Sequence, residues 1–249
     1  MRIFNVYTAL VTTVLMTAGS AQAFELLTAE DLNYNGLNTR AALNLTQQKE
    51  QQFLSNFDSS IGTEEFESFS DLTSANMDLS FPGAGTATFS GNGVIHNITN
   101  TANPDIAYDL EQGLYPASGN QYLYTEATPN ADGTFTINFS EEIAGFGFYA
   151  YDLGDWGAEL SLKLYHDEQL VDTVSNLHTT QLDGSTTGSV IYVGILGELQ
   201  PDDTRQVFNR VEFTTAGNNI VNTNHDIFAF DNMTIATANQ IITSNIFAD

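Results

Sequence analysis

From Ser59 onward the side chains alternate with a period of two, and this alternation restricts the fold more than any other feature of the chain. Phe135, Ile137 and Phe139 alternate with Thr134, Thr136 and Asn138; Leu160, Leu162 and Leu164 alternate with Ser161, Lys163 and Tyr165. Successive side chains of a strand point to opposite faces, so each run buries one face and wets the other. Short β-branched and aromatic runs recur at 86–90, 94–98, 121–125, 143–151, 169–175, 189–196, 207–215 and 227–235, with Gly, Asn, Asp and Pro between them. No amphipathic helices separate these runs, so they are expected to pair antiparallel. The expected fold is an all-β, antiparallel, jelly-roll-like β-sandwich. Gly145 and Gly147, inside an apolar aromatic run, mark a bulge or a close backbone approach.

Ahead of that domain the spacing changes. Ala42, Leu45, Lys49, Gln52 and Phe53 recur as on a helix, which predicts a helix over 39–56, capped by Asn38 or Thr39 and preceded by a turn at Asn33-Tyr34-Asn35-Gly36. At the very start Arg2, an apolar run over 6–16 and Ala21-Gln22-Ala23 form the three regions of a signal peptide, with Phe24 as the first residue after cleavage. The run is shorter than the roughly 20 residues that span a bilayer. The chain therefore divides into a signal peptide (1–23), an N-terminal helical segment (24–58), a β-sandwich domain (59–236) and a polar tail (237–249), with no membrane span expected in the mature part.

Charge narrows the partners. Six Lys and Arg stand against 31 Asp and Glu, a formal net charge of −25, and cleavage after Ala23 removes Arg2 as well. Nucleic acids and anionic lipid surfaces need clustered basic residues, so both are excluded as partners. The acidity serves either solubility or the binding of cations. No cysteine is present, so disulfides, thiolate metal sites and a cysteine nucleophile are ruled out.

Three acidic stretches are candidates for chemistry. Glu64, Glu65 and Glu67 surround Phe66 where the sheet begins, and Phe230-Asp231-Asn232 lies in the last strand run. If the first and last strands lie together, Glu67 and Asp231 can share one calcium ion, which takes six to eight oxygen ligands; the alternative is that both are solvated strand carboxylates. The third stretch, Tyr151 to Gly157, offers Asp152 and Asp155 to a cation or to sugar hydroxyls and Trp156 to a sugar ring; its alternative is a turn whose aspartates bond to backbone. Catalysis finds no comparable pattern. His96, His166, His178 and His225 form no HExxH, there is no GxSxG, and with 31 acids any glycosidase-like pair can be named, which makes the naming empty.

Several segments together resemble exported bacterial proteins of the PEP-CTERM sorting class: Thr63 to Phe69, Leu79-Ser80-Phe81-Pro82-Gly83-Ala84-Gly85-Thr86-Ala87-Thr88-Phe89, Tyr115 to Tyr122, Ala144 to Tyr149, Asp152-Leu153-Gly154-Asp155 and Phe228 to Ile235. The terminal Pro-Glu-Pro, membrane helix and basic tip of that class are absent; the chain ends Ile246-Phe247-Ala248-Asp249. The resemblance implies a leading helix and a jelly-roll-like domain in bacteria that make extracellular polysaccharide. The Phe-Glu and Phe-Asp-Asn ends are also similar to carbohydrate-binding jelly rolls that hold a structural calcium between first and last strands, and Glu67 and Asp231 are the matching positions. The expected protein is a secreted, non-enzymatic module of the cell envelope or extracellular matrix that binds glycan through Asp152, Asp155 and Trp156. A structural matrix protein with no small ligand is the alternative, and a polysaccharide-acting enzyme the third reading.

Overall fold

One strand, Gly133–Tyr151, runs for 19 residues and changes character halfway: its first half alternates buried and exposed side chains, and its last nine residues are all buried. The computed structural model describes residues 23–242 except 75, 128–132, 154–157, 181–185 and 218–225. In chain order the elements are β1 (Phe24–Asp31), α1 (Asn44–Leu54), β2 (Gly62–Glu64), β3 (Met77–Phe81), β4 (Gly85–Gly91), β5 (Val94–Asn97), α2 (Pro104–Glu111), β6 (Gln121–Ala127) and β7, the long strand. Then follow β8 (Ala158–His166), β9 (Gln169–Leu177), β10 (Val190–Gly197), β11 (Phe208–Gly217) and β12 (Asp226–Thr237).

Every strand pair is antiparallel, and β7 belongs to two layers of the sheet. Its first half lies between β4 and β11, with Phe89↔Ile137 and Phe213↔Phe135 in register; its second half lies between β10 and β12, with Val193↔Phe148 and Phe230↔Ala150 in register. One layer therefore runs β3, β4, β7, β11, β8, β9. The other runs β1, β10, β7, β12, and β12 is flanked beyond that by β6, then β5, along one stretch and by β2 along another. The layers face each other across a phenylalanine core: the rings of Phe148 and Phe213 lie 5.3 Å apart, Phe135 and Phe230 5.3 Å, and Phe213 and Phe230 5.6 Å. Edge-on contacts of this kind dominate a core because each ring buries a large area. The expectation of an all-β, sandwich-like antiparallel body is met.

The second layer is buried on both faces, which is why 143–151 reads as a continuous apolar run while 135–139 alternates. Phe146, Phe148 and Ala150 face the phenylalanine core; Tyr149 and Tyr151 face a second cluster with Tyr192, Phe53 and Phe57. Here the glycines allow the close approach read from the sequence. A Cβ on Gly147 would land on the Tyr192 hydroxyl and come within 2.8 Å of the Phe53 ring, and one on Gly194 within 2.8 Å of the same ring. Helix α1 thus rests its aromatic side on bare backbone.

The local causes differ in part from those read in the sequence. Helix α1 begins at Asn44, not at Thr39, because its cap is tertiary: Asp31, at the end of β1, accepts from the amides of Leu45 (3.0 Å) and Thr46 (2.8 Å) and from the Thr46 hydroxyl (2.7 Å). The leading segment 24–58 is not solely helical, since Phe24–Asp31 is a strand paired with β10. Residues 135–139 and 143–151 form a single strand. Strand β3 and helix α2 had no counterpart in the sequence reading, and the opening strand β2 ends at Glu64, short of Glu67. Helix α2 nevertheless carries a legible start, with Pro104 in its first turn and Asn103 accepting from the Asp105 amide at 3.1 Å. No helix among the described residues is long and apolar enough to cross a membrane.

Replacing Gly147 by Ala is expected to cost about 1–3 kcal/mol, the usual range for overpacking a filled core. A thermal melt of the Gly147→Ala protein at neutral pH checks it, and an unchanged melting temperature would show that α1 does not rest on this strand.

Candidate functional site

The opening and closing strands of the domain are neighbours, the condition on which the shared site depended: β2 pairs with β12, Thr63 opposite Thr234 and Glu64 opposite Met233. This brings the first two acidic stretches to one region. Glu64 is 5% exposed and accepts from the amides of Phe66 and Ser80, both at 2.8 Å, so it ties β2 to β3. Glu67 lies outside, and its Oε1 accepts from the amides of Asn120 and Gln121, both at 2.7 Å. Asp231 is fully buried; its Oδ2 accepts from Ala117 (2.6 Å) and Ser118 (3.2 Å) and its Oδ1 from Asn232 (2.7 Å).

Glu67 and Asp231 therefore grip the two ends of one loop, 116–121, and the oxygens that the sequence offered to an ion accept backbone N–H groups. Arg40 donates to the carbonyls of Pro116 and Ala117 in the same loop. Between the two carboxylates sits Gly119 at φ +59°, where an added Cβ would collide with the Glu67 carboxylate. Among the described residues no three His, Cys, Asp or Glu side chains gather as a metal would require.

Behind the loop lies a layer of tyrosines. The Tyr149 hydroxyl donates to Glu50 of α1 at 2.8 Å, while the buried hydroxyl of Tyr192 finds no hydrogen-bond partner among the described residues. Burial pushes Asp231 well above the usual carboxylate range, partly offset by its three amide donors, and repulsion from Glu65 adds to the rise. Burial likewise raises Glu50, against the opposing hydrogen bond from Tyr149. The tyrosines stay protonated because burial disfavours the phenolate and nearby carboxylates repel it; Arg40 opposes this only at Tyr151. Asp231 braces the loop, and the Tyr149 hydrogen bond ties Glu50 of α1 to β7.

In the third stretch, Asp152 is 3% exposed at φ +65°. Its Oδ1 accepts from the Gly188 amide at 2.6 Å and its own amide donates to the Ser189 carbonyl at 2.9 Å, so it joins the end of β7 to the start of β10. Asp155 and Trp156 lie outside the described residues. A buried constellation that the sequence did not disclose is His96 with Asp109, Nδ1 to Oδ2 at 2.5 Å, with the Tyr122 hydroxyl donating to the same oxygen at 2.6 Å. The His96 ring stacks on Tyr124 with 4.4 Å between centroids. This locks α2 onto β5 and β6; its partners are thirteen or more residues apart on different elements, and no local pattern announces them.

A groove of 440 Å³ lies between β1 and α1, lined by Ala29, Glu30, Leu45, Gln48, Lys49 and Gln52. Positions 45, 48, 49 and 52 form one stripe of the helix, so the groove runs along its axis. Glu30 is held in place by the amide and hydroxyl of Thr180 at 2.7 and 2.6 Å, and Lys49 donates to Gln52 at 2.8 Å. A smaller cleft of 210 Å³ separates β1 from β9.

No protein-family model matches the chain, and no curated protein matches it in sequence. Among solved structures it is similar to the K2 cleaved adhesin domain of Lys-gingipain, at 12% identity over 72% of this chain and 99% of that one, with a TM-score of 0.41. It is also similar to the K1 cleaved adhesin domain of Lys-gingipain from Porphyromonas gingivalis W83, at 12% identity over 72% and 99% and a TM-score of 0.37. A family 61 carbohydrate-binding module in complex with β-1,4-galactotriose aligns at 12% identity over 59% and 88%, with a TM-score of 0.22. Likeness at this level assigns neither residue nor ligand to this chain.

Two outcomes follow for the braced loop. Raised carboxylate pKa values mean that the folded state binds more protons than the unfolded one, so stability falls as pH rises from the ordinary carboxylate range through the elevated values of Asp231 and Glu50. The melting temperature is expected to be higher at pH 5 than at pH 8, and Asp231→Asn to flatten that dependence; an unchanged slope would remove Asp231 from the account. Because amides engage Glu67 Oε1 and both Asp231 oxygens, exhaustive dialysis against EDTA is expected to leave the melting curve in place, whereas a fall reversed by calcium would locate a shared ion there.

Proposed function

We propose that this chain is an exported, non-enzymatic binding module whose ligand is a neutral extracellular polysaccharide, held in the groove between β1 and α1. The observation that carries this reading is the groove's lining: two glutamine amides, an ammonium and a carboxylate beside the apolar Ala29 and Leu45. Sugar hydroxyls both donate and accept, and glutamine amides answer both roles in fixed geometry. Apolar surface with a few placed polar groups is the usual composition of a small-ligand site. The net charge of −25 disfavours an anionic polymer, and the one groove cation, Lys49, is already engaged by Gln52.

The lack of catalytic function in this reading rests on what the buried acids do. Asp231, Glu64 and Asp152 each accept backbone N–H groups, which commits these three acids to holding structure. Export rests on the leader read from residues 1–23.

Isothermal titration against neutral glucans, galactans and mannans, with an acidic polymer as control, tests the proposal. Binding to a neutral polymer is expected, and the Gln48→Ala/Gln52→Ala protein is expected to lose about tenfold in affinity, some 1.4 kcal/mol, without a change in melting temperature. Retention of full affinity by that variant, or release of reducing ends during incubation, would overturn it.

A further inference from the structure

We infer that Tyr34 is a stacking platform that extends the groove, so that the ligand is a linear glycan leaving the groove at the Leu45 end and crossing this ring. The inference rests on the neutral-polysaccharide reading above and adds to it a direction and a second contact.

Tyr34 is 72% exposed, the most exposed large hydrophobic side chain among the described residues. Its place is bounded by the chain. Asp31 accepts from the amide of Leu45, so the end of β1 and the Leu45 end of the groove coincide. Tyr34 follows Asp31 by three residues, which keeps its Cα within about 11 Å of that point. From Leu45 to Gln52 the groove follows α1 for about 10 Å. The Tyr34 Cα therefore lies within reach of the groove's Leu45 end, at a separation no greater than about the groove's own length.

The backbone under the ring is fixed. Asn33, 1% exposed, donates from its amide to Ser189 Oγ at 2.8 Å and from its side chain to the carbonyls of Thr187 and Thr39, both at 2.9 Å. The Tyr34 amide donates to Leu32 at 3.2 Å. The turn is thus bolted to the start of β10 while the ring it carries is left in water. A large ring on a rigid turn loses little freedom on binding, and its apolar face with a polar edge suits the C–H face of a sugar. A peptide ligand is disfavoured by the same groove, which offers amides to hydroxyls and no deep apolar pocket for an anchoring side chain.

The experiment titrates gluco-, galacto- and manno-oligosaccharides, from the disaccharide upward, into the wild-type, Tyr34→Ala, Tyr34→Phe and Gln48→Ala/Gln52→Ala proteins. In the wild type, affinity is expected to rise with length until the chain reaches Tyr34. Tyr34→Ala is expected to abolish that gain, about tenfold for the longer oligomers, while leaving the shortest binder unaffected, and Tyr34→Phe to restore it. Equal affinities of Tyr34→Ala and wild type at every length would overturn the platform, as would a loss uniform over all lengths accompanied by a lower melting temperature. Absence of any oligosaccharide binding by the wild type would instead overturn the groove reading on which it stands.

Discussion

The fold depends on β7 serving two layers at once. A strand that pairs with β4 and β11 in its first half and with β10 and β12 in its second must bury one face, then both, and its composition follows that demand. Phenylalanines fill the space between the layers, and on the outer side of the second layer glycines replace side chains so that Phe53 and Phe57 can close over it. Both clusters meet along this one strand. Loss of the α1 contact would expose the outer face of a layer whose residues are almost wholly apolar, and the chain has no disulfide to compensate.

A very acidic chain commits several of its acids to backbone amides. Asp31 caps α1, Glu64 joins β2 to β3, Glu67 and Asp231 hold the 116–121 loop, and Asp152 fastens the end of β7. A carboxylate accepting N–H groups makes a stronger hydrogen bond than a neutral acceptor, and it needs no counter-cation from a chain with few lysines and arginines. The remaining acids lie mostly outside, where they repel other molecules and one another. In this way the same composition supplies internal braces and an acidic surface.

The groove and Tyr34 share this frame. Asp31 sets the start of α1 and thereby places Leu45 over the end of β1, while Asn33, two residues on, pins the turn that presents Tyr34. One short stretch of chain thus sets both the groove's end and the turn that carries Tyr34. A ligand bound across them would touch rigid elements on both sides, which favours specificity set by hydroxyl geometry over affinity set by charge.

The sequence by itself determined the class of fold, whereas the adjacency of its first and last strands was only a condition until the packed chain met it. Period two at Phe135-Ile137-Phe139 and at Leu160-Leu162-Leu164 is a local consequence of strand geometry and survives any arrangement of the strands. It also marked Gly145 and Gly147 as points of close approach, since only glycine admits backbone contact within an aromatic run. The partners were decided by tertiary structure. That Asp231 would meet the amides of Ala117 and Ser118, that Asp31 would cap a helix thirteen residues away, that His96 would meet Asp109, and that the groove would form along Gln48, Lys49 and Gln52 all depend on which strands lie side by side. A side chain's periodicity states which way it points; only the packed chain states what stands in front of it.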